Sequence, residues 1–376
     1  MKRAFAELPL HSGKAPSALF DRMVRLSGAV VMAIVDEHGS DEMLRRLADP
    51  WWFQAFGCLL GFDWHSSGLT TVTCGALKEA YRAYGSELGV VVAGGKGATS
   101  RKAPEEIARA ADRLGVSQGE RLVYASRMSA KVDSAAVQDG YALYHHSFFF
   151  TPRGGWCVVQ QGMNEGCGRA RRYHWMGESV ADFVCEPHAG IGDLFSPSED
   201  APGSASGDLL NMIAAEAGPN RAASAALVRD DPERLLETLQ AAVEGPTLFA
   251  PARHVLLPID VNLPRLGRIV AAAHRTAPKD FEALLGTPQI GPKAIRSLAL
   301  TAEIIYGAPV SHRDPTRSKR WADYAYAHGG KDGHPFPVDR RLYDQDIAVV
   351  TDAVRKSRLG HTEKTEALRR LARLGG

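Results

Sequence analysis

No run of about eighteen apolar residues, the length a bilayer-spanning helix needs, occurs anywhere in this 376-residue chain. The N-terminal stretch MKRAFAELPLHSGK starts with charge but lacks an apolar core of signal-peptide length, so a cytoplasmic location is expected. CxxC pairs are missing as well. The cysteines Cys58, Cys74, Cys157, Cys167 and Cys185 are odd in number, which argues against a disulfide framework and for buried thiols in a reducing compartment. Cys157, Cys167, Cys185 and His188 have spacings that match no standard zinc ligand pair. There is no internal repeat, and the glycine-rich basic stretch VVAGGKGATSRK is not a Walker A loop, because it lacks GK[ST] at the required spacing.

What is present describes a globular protein. Hydrophobic residues make up 45% and charged residues 23% of the chain, too apolar for a disordered protein, and the length suits two domains with a core each. The net charge of +2 hides a segregation: from Pro251 to Gly376 there are 21 Lys and Arg against 13 Asp and Glu, whereas the preceding part has 24 against 30. A basic C-terminal third is what a polyanion-binding surface requires, although a solvated helical face reads the same way.

The order of elements points to an α/β or α+β domain with a mixed sheet over 1–194, a linker over 195–208, and a helical-bundle domain over 209–376. A helix is expected from Ala18 to Glu37, then one capped by Ser40 and stopped by Pro50, then a strand-rich region. Leu88 to Gly95 reads as a strand and Pro104 to Gly115 as a helix with Pro at its start and Gly at its end. RLVYASRMSAKVD is expected at a sheet edge, and ALYHHSFFF and WCVVQQGM as a hairpin around Thr151 to Gly155. The Ser, Pro, Gly and Asp of FSPSEDAPGSASGD form the linker, and the segments beyond it, LLNMIAAEA among them, have helical periodicity.

Two regions carry chemistry. FEALLGTPQIGPKAIRSLALTAEIIYG, from Phe281, reads as two helices joined at Pro288-Gln289-Ile290-Gly291-Pro292-Lys293. The turn exposes the first amides of its second helix, where the dipole favours a phosphate oxygen and Lys293 and Arg296 add charge. This segment resembles the helix-hairpin-helix of DNA repair glycosylases, nucleases and ligases, with Gln289 where the first glycine usually stands; the plainer alternative is an ordinary αα-hairpin. Downstream, Asp339 in HPFPVDRRLYD is similar to the aspartate of the glycosylase branch of that superfamily, or is a helix cap before Arg340.

In the N-terminal part, Asp63 and His65 end the apolar run WWFQAFGCLLGFDWHSSG, and on a strand they would share a face and a metal or proton; closing a turn is the alternative. Lys96, Arg101 and Lys102 lie in the glycine loop VVAGGKGATSRK, suited to a phosphate. Lys131, Asp133, Asp139, His145 and His146 fall on or beside expected strands. Asp63, Asp133 and Asp139 are the candidate ligands for Mg²⁺ or Mn²⁺, and His65, Lys131, His145 and His146 the candidate proton-transfer or phosphate groups.

FDWHSSGLTT, VAGGKG with Arg101, Lys102 and Pro104, YHHSFFF, VVQQGMN, ARRYHW and FPVDRRLYD together resemble a prokaryotic family known as domain of unknown function 763, over nearly the full length. The resemblance implies a hairpin-bearing, DNA-associated protein, a nuclease that assembles as a homodimer. The resulting expectation is a metal-dependent, structure-selective deoxyribonuclease of DNA repair or processing, associated with the nucleoid. A helix-hairpin-helix glycosylase or lyase using Asp339, and a non-catalytic DNA-binding protein, are the rivals.

Overall fold

The computed structural model describes residues 17–61, 67–166, 168–192, 209–229 and 263–315, with isolated positions beyond. Helix α1 (Ser17–His38) places Met23, Leu26, Val30 and Ile34 on one buried stripe, the spacing that gives a helix a single apolar face. Helix α2 (Ser40–Ala48) begins after Gly39, which holds the cap position at φ 87° in place of the expected Ser40. Asp49 then ends α2 and caps α3 (Pro50–Leu59), its Oδ1 accepting from the amides of Trp51 (2.7 Å) and Trp52 (2.9 Å). Pro50 both stops one helix and opens the next, since the first helical position needs no amide hydrogen.

The strand-rich region expected after Pro50 does not begin there: the described residues of 50–84 are mostly helical, and the strands start at Val91. In α4 (Gly68–Tyr84) the residues buried are Leu69, Thr70, Thr73, Cys74, Ala76, Leu77, Lys78 and Ala80, a helical spacing that outweighs the short Thr and Val alternation. Strand β1 (Val91–Lys96) and helix α5 (Ala103–Leu114), closed by Gly115 at φ 66°, follow as the sequence predicts. RLVYASRMSAKVD, expected at a sheet edge, forms α6 (Gly119–Lys131) and enters a wide helical turn at Val132–Ala136. Lys131, Asp133 and Asp139 therefore lie on a helix end, that turn and a loop.

After β2 (Val137–Gln138), the expected hairpin is present as β3 (Ala142–Phe150) and β4 (Trp156–Asn164), followed by β5 (Arg169–Met176) and β6 (Gly190–Gly192). The five-stranded order is β1-β3-β4-β5-β6, and every pairing is antiparallel, which corrects the expectation of a mixed sheet. Short turns join β3 to β4 and β4 to β5, and only antiparallel neighbours can be joined so closely.

Helices cover both faces of this sheet, and the run Phe148-Phe149-Phe150 shows the consequence. Phe148 and Phe150 join the core formed with α5 and α6, whereas Phe149 joins the core formed with α1 to α4. Beyond the first sheet, β7 (Leu210–Asn211) pairs with β2 where LLNMIAAEA reads as helical, and α7 (Gly218–Arg229) follows. Helix α8 (Leu263–Thr276), α9 (Phe281–Gly286) and α10 (Pro292–Tyr306) complete the described chain. Ile290, Leu298 and Ala302 pack in the same core as Val91, Phe148 and Trp175, so segments on both sides of 195–208 build one interior. The expected linker itself lies outside the described residues.

Candidate nucleic-acid interface

The register gathers several elements at one end of the sheet. Lys96 pairs with His145, His145 with Gln161, Gln161 with Arg172 and Arg172 with Gly192, a single row across five strands. The glycine loop leaves from this row, and Lys96, Arg101 and Lys102 are all exposed on it. Gly94 is required there: at φ 84°, a Cβ on it would stand 2.2 Å from the carbonyl oxygen of His146. The loop is anchored from beneath. Lys78 Nζ donates to the Gly94 carbonyl (2.6 Å) and Glu106 (2.7 Å), and Glu106 accepts from the Gly94 amide (2.8 Å).

The turn between α9 and α10 docks on Gln138. The side-chain amide of Gln138 donates to the Pro292 carbonyl (2.8 Å), while its oxygen accepts from Arg296 Nε (2.8 Å). Lys131 donates to the carbonyl of Ile290, and burial lowers its pKa. Ile290 is buried, but Gln289, Pro292 and Lys293 are exposed and Arg296 is half-buried. Gln289 has φ 69°, the left-handed backbone that glycine adopts most cheaply, which gives a physical reason for glycine at this position in the motif the sequence resembles. Gly291 caps the fifteen-residue α10 without any side-chain hydrogen bond, and Pro292 takes its first position.

The expected catalytic carboxylates are committed inside the protein. Asp133 is fully buried and accepts from His188 Nε2 (2.5 Å), Gln160 Nε2 (2.5 Å) and Trp175 Nε1 (2.9 Å). Burial raises its pKa, against the opposing pull of His188 and Trp175. Asp139 pairs with Arg171 (2.7 Å) and accepts from the Tyr173 hydroxyl (2.7 Å), and Arg171 continues to Asp314 (3.0 Å). His146 bridges Ser126 (2.8 Å) and Gln160 (2.8 Å), and burial pushes its pKa down to about 4. His145 contacts Ser147 (3.0 Å); burial, then His146 and Lys96, push it down to about 3. Each of these side chains is hydrogen-bonded within the fold, and among the described residues no group of three or more His, Cys, Asp or Glu is placed to hold a metal ion. Asp63 and His65, and likewise Asp339, lie outside the described residues.

Cys157 packs in the core with α1 to α4, whereas His188 bonds Asp133 beside Trp175 in the core on the other face, so these two are not brought together; Cys167 lies outside the described residues. No helix among the described residues is long and apolar enough to cross a membrane. The family described as protein of unknown function (DUF763) matches residues 4–338 of this chain. The chain belongs to that family. No curated protein and no solved structure matches it.

Sequence reading missed the two arginines of this family member's ARRYHW strand. Arg171 and Arg172 point to opposite faces, and both are buried. A charged pair inside an apolar, alternating strand was the available signal, because a buried guanidinium must be paired or hydrogen-bonded.

Proposed function

We propose that this protein acts on DNA, gripping the phosphodiester backbone at the basic end of the sheet through a helix-hairpin-helix formed by α9, the turn at 287–291 and α10. The observation that carries the reading is exposed Lys293 in the first turn of a helix whose N-cap has no side-chain partner. An uncapped helix start with an adjacent cation favours a phosphate oxygen whatever the base sequence. Lys96, Arg101 and Lys102, all exposed, are the further cations this reading assigns to the backbone.

The reaction that best suits this reading is structure-selective cleavage of DNA in repair or processing, by a homodimer. If Mg²⁺ or Mn²⁺ serves it, Asp63 and His65 are the residues left to contribute, since Asp133 and Asp139 are taken. The burial of Asp133, Asp139, His145 and His146 equally favours a second reading, a DNA-binding protein that performs no chemistry. Glycosylase action through Asp339 is the third.

The test combines binding and cleavage. Lys293→Glu should weaken binding to any duplex about tenfold or more and flatten its salt dependence by roughly one phosphate contact. Metal-dependent cutting lost in Asp63→Ala and kept in Asp339→Ala supports the nuclease, the reverse pattern supports the glycosylase, and intact DNA across metals and substrates supports the binding protein. Unchanged duplex affinity in Lys293→Glu refutes the backbone grip.

A further inference from the structure

One neighbouring stretch of chain, residues 124–138, holds the α9 to α10 turn from its inner side. The Tyr124 hydroxyl donates to Glu282 in the first turn of α9. Lys131, the last residue of α6, donates to the Ile290 carbonyl. Gln138 donates its side-chain amide to the Pro292 carbonyl (2.8 Å) and accepts from Arg296 Nε (2.8 Å), so it brackets the first turn of α10. Its second amide hydrogen goes to the Ala135 carbonyl (2.9 Å), which leaves Gln138 with no donor to spare.

Holding these two carbonyls fixes the direction of two amides. In a trans peptide unit the carbonyl of one residue and the N–H of the next point opposite ways, and no described peptide bond is cis. With the Ile290 carbonyl drawn toward Lys131, the Gly291 N–H is aimed away from α6. With the Pro292 carbonyl drawn toward Gln138, the Lys293 N–H is aimed away from β2. Neither N–H has an intrahelical acceptor, since Gly291 is the N-cap of α10 and Lys293 its second residue, and glycine has no side chain to cap them. The base of the arrangement is stiff. Lys131 and Gln138 flank the wide turn Val132–Ala136, whose Asp133 is bonded to Gln160 of β4 and Trp175 of β5.

We propose that Lys131 and Gln138 are the positioning residues of the backbone grip: by holding two carbonyls inward they aim the amides of Gly291 and Lys293 outward, toward the phosphates of a DNA strand. The proposal rests on the DNA reading above, and it gives Lys131 a role without phosphate contact. Donors aligned in advance bind more tightly than mobile ones, because their ordering cost is met on folding and not on association.

Lys131→Met and Gln138→Met each remove one hold with little change in side-chain volume, and Lys131→Arg keeps a donor. In ¹⁵N relaxation of the DNA-free full-length protein, Lys131→Met should loosen the Gly291 amide and Gln138→Met the Lys293 amide, while Lys131→Arg keeps both ordered. Affinity for a DNA duplex should fall about tenfold in each methionine substitution and largely return in Lys131→Arg. Gln138→Met separates aim from charge, because it removes no cation. Weaker binding with a shallower salt dependence in Lys131→Met alone would make Lys131 a phosphate contact and overturn the positioning role. Unaltered order at both amides overturns it too, as does full affinity in both methionine substitutions where Lys293→Glu weakens binding. Gln138 is partly exposed, so Gln138→Met decides alone if Lys131→Met fails to fold. Unchanged duplex affinity in Lys293→Glu refutes the grip itself, a failure that the relaxation of the DNA-free protein keeps distinct.

Discussion

Asp133 accepts three side-chain hydrogen bonds from residues distant in the chain, among them one from His188 at 2.5 Å, whose side chain is 5% exposed. Removing one partner of a buried pair leaves the other charged or polar group in low dielectric, which outweighs the attraction lost. His188→Ala should therefore lower the unfolding free energy by about 3 kcal/mol in urea titrations. A loss below about 1 kcal/mol would show that Asp133 does not depend on this partner. The residue types were legible: Asp133, Asp139, His145 and His146 all stood out as chemistry-bearing. Their roles were not, because which oxygen meets Gln160, Trp175 or Arg171 depends on strand register, and no local spacing encodes it. Arg172 shows the same limit, since its identity was visible while its acceptors on Pro50, Gln54 and Thr70 come together only when α3 and α4 pack over β5.

Elements with strong local punctuation were readable in advance, as in α5 with Pro104 and Gly115, the β3 and β4 hairpin, and the two helices around Ile290. Those without it were misread. The segment 121–133 has apolar and polar residues that suit either period over a short window, and packing of Leu122, Ala125 and Met128 against the sheet selects the helix. At the α9 to α10 turn the local signal is chemically specific and testable. A left-handed non-glycine backbone costs about 1–2 kcal/mol, against the ~0.5–1 kcal/mol of extra chain entropy that glycine loses on folding. Gln289→Gly should thus raise stability by about 0.5–1 kcal/mol. Because Gln289 is exposed and its side chain makes no hydrogen bond to the helix that follows, DNA affinity should hold or improve. Destabilisation measured in Gln289→Gly would mean that the glutamine side chain, and not the backbone shape, maintains the turn.

Three helical-and-sheet layers enclose a sheet that carries histidines on both faces, and this gives the whole molecule a predictable response to acid. Burial holds His145 down to about 3, His146 down to about 4 and His174 well below its ordinary 6.5. In the unfolded chain these imidazoles take up protons below about 6.5, whereas the folded protein keeps them neutral, so the unfolded state binds more protons and stability falls as pH drops. Each contributes about 1.4 kcal/mol per pH unit at full effect, and the three together about 4 kcal/mol per unit between roughly pH 6 and pH 4.5. Asp133 acts in the opposite sense, because its raised pKa makes the folded state hold a proton that the unfolded state has released. Urea midpoints should accordingly decline from pH 7 to pH 5, and His146→Gln, which retains hydrogen-bonding capacity toward Ser126 and Gln160, should remove about a third of the slope. A slope in His146→Gln equal to that of the unaltered protein would show that the interior admits the proton, and the close packing of α6 against β3 and β4 would then have to open on the acid side of neutrality.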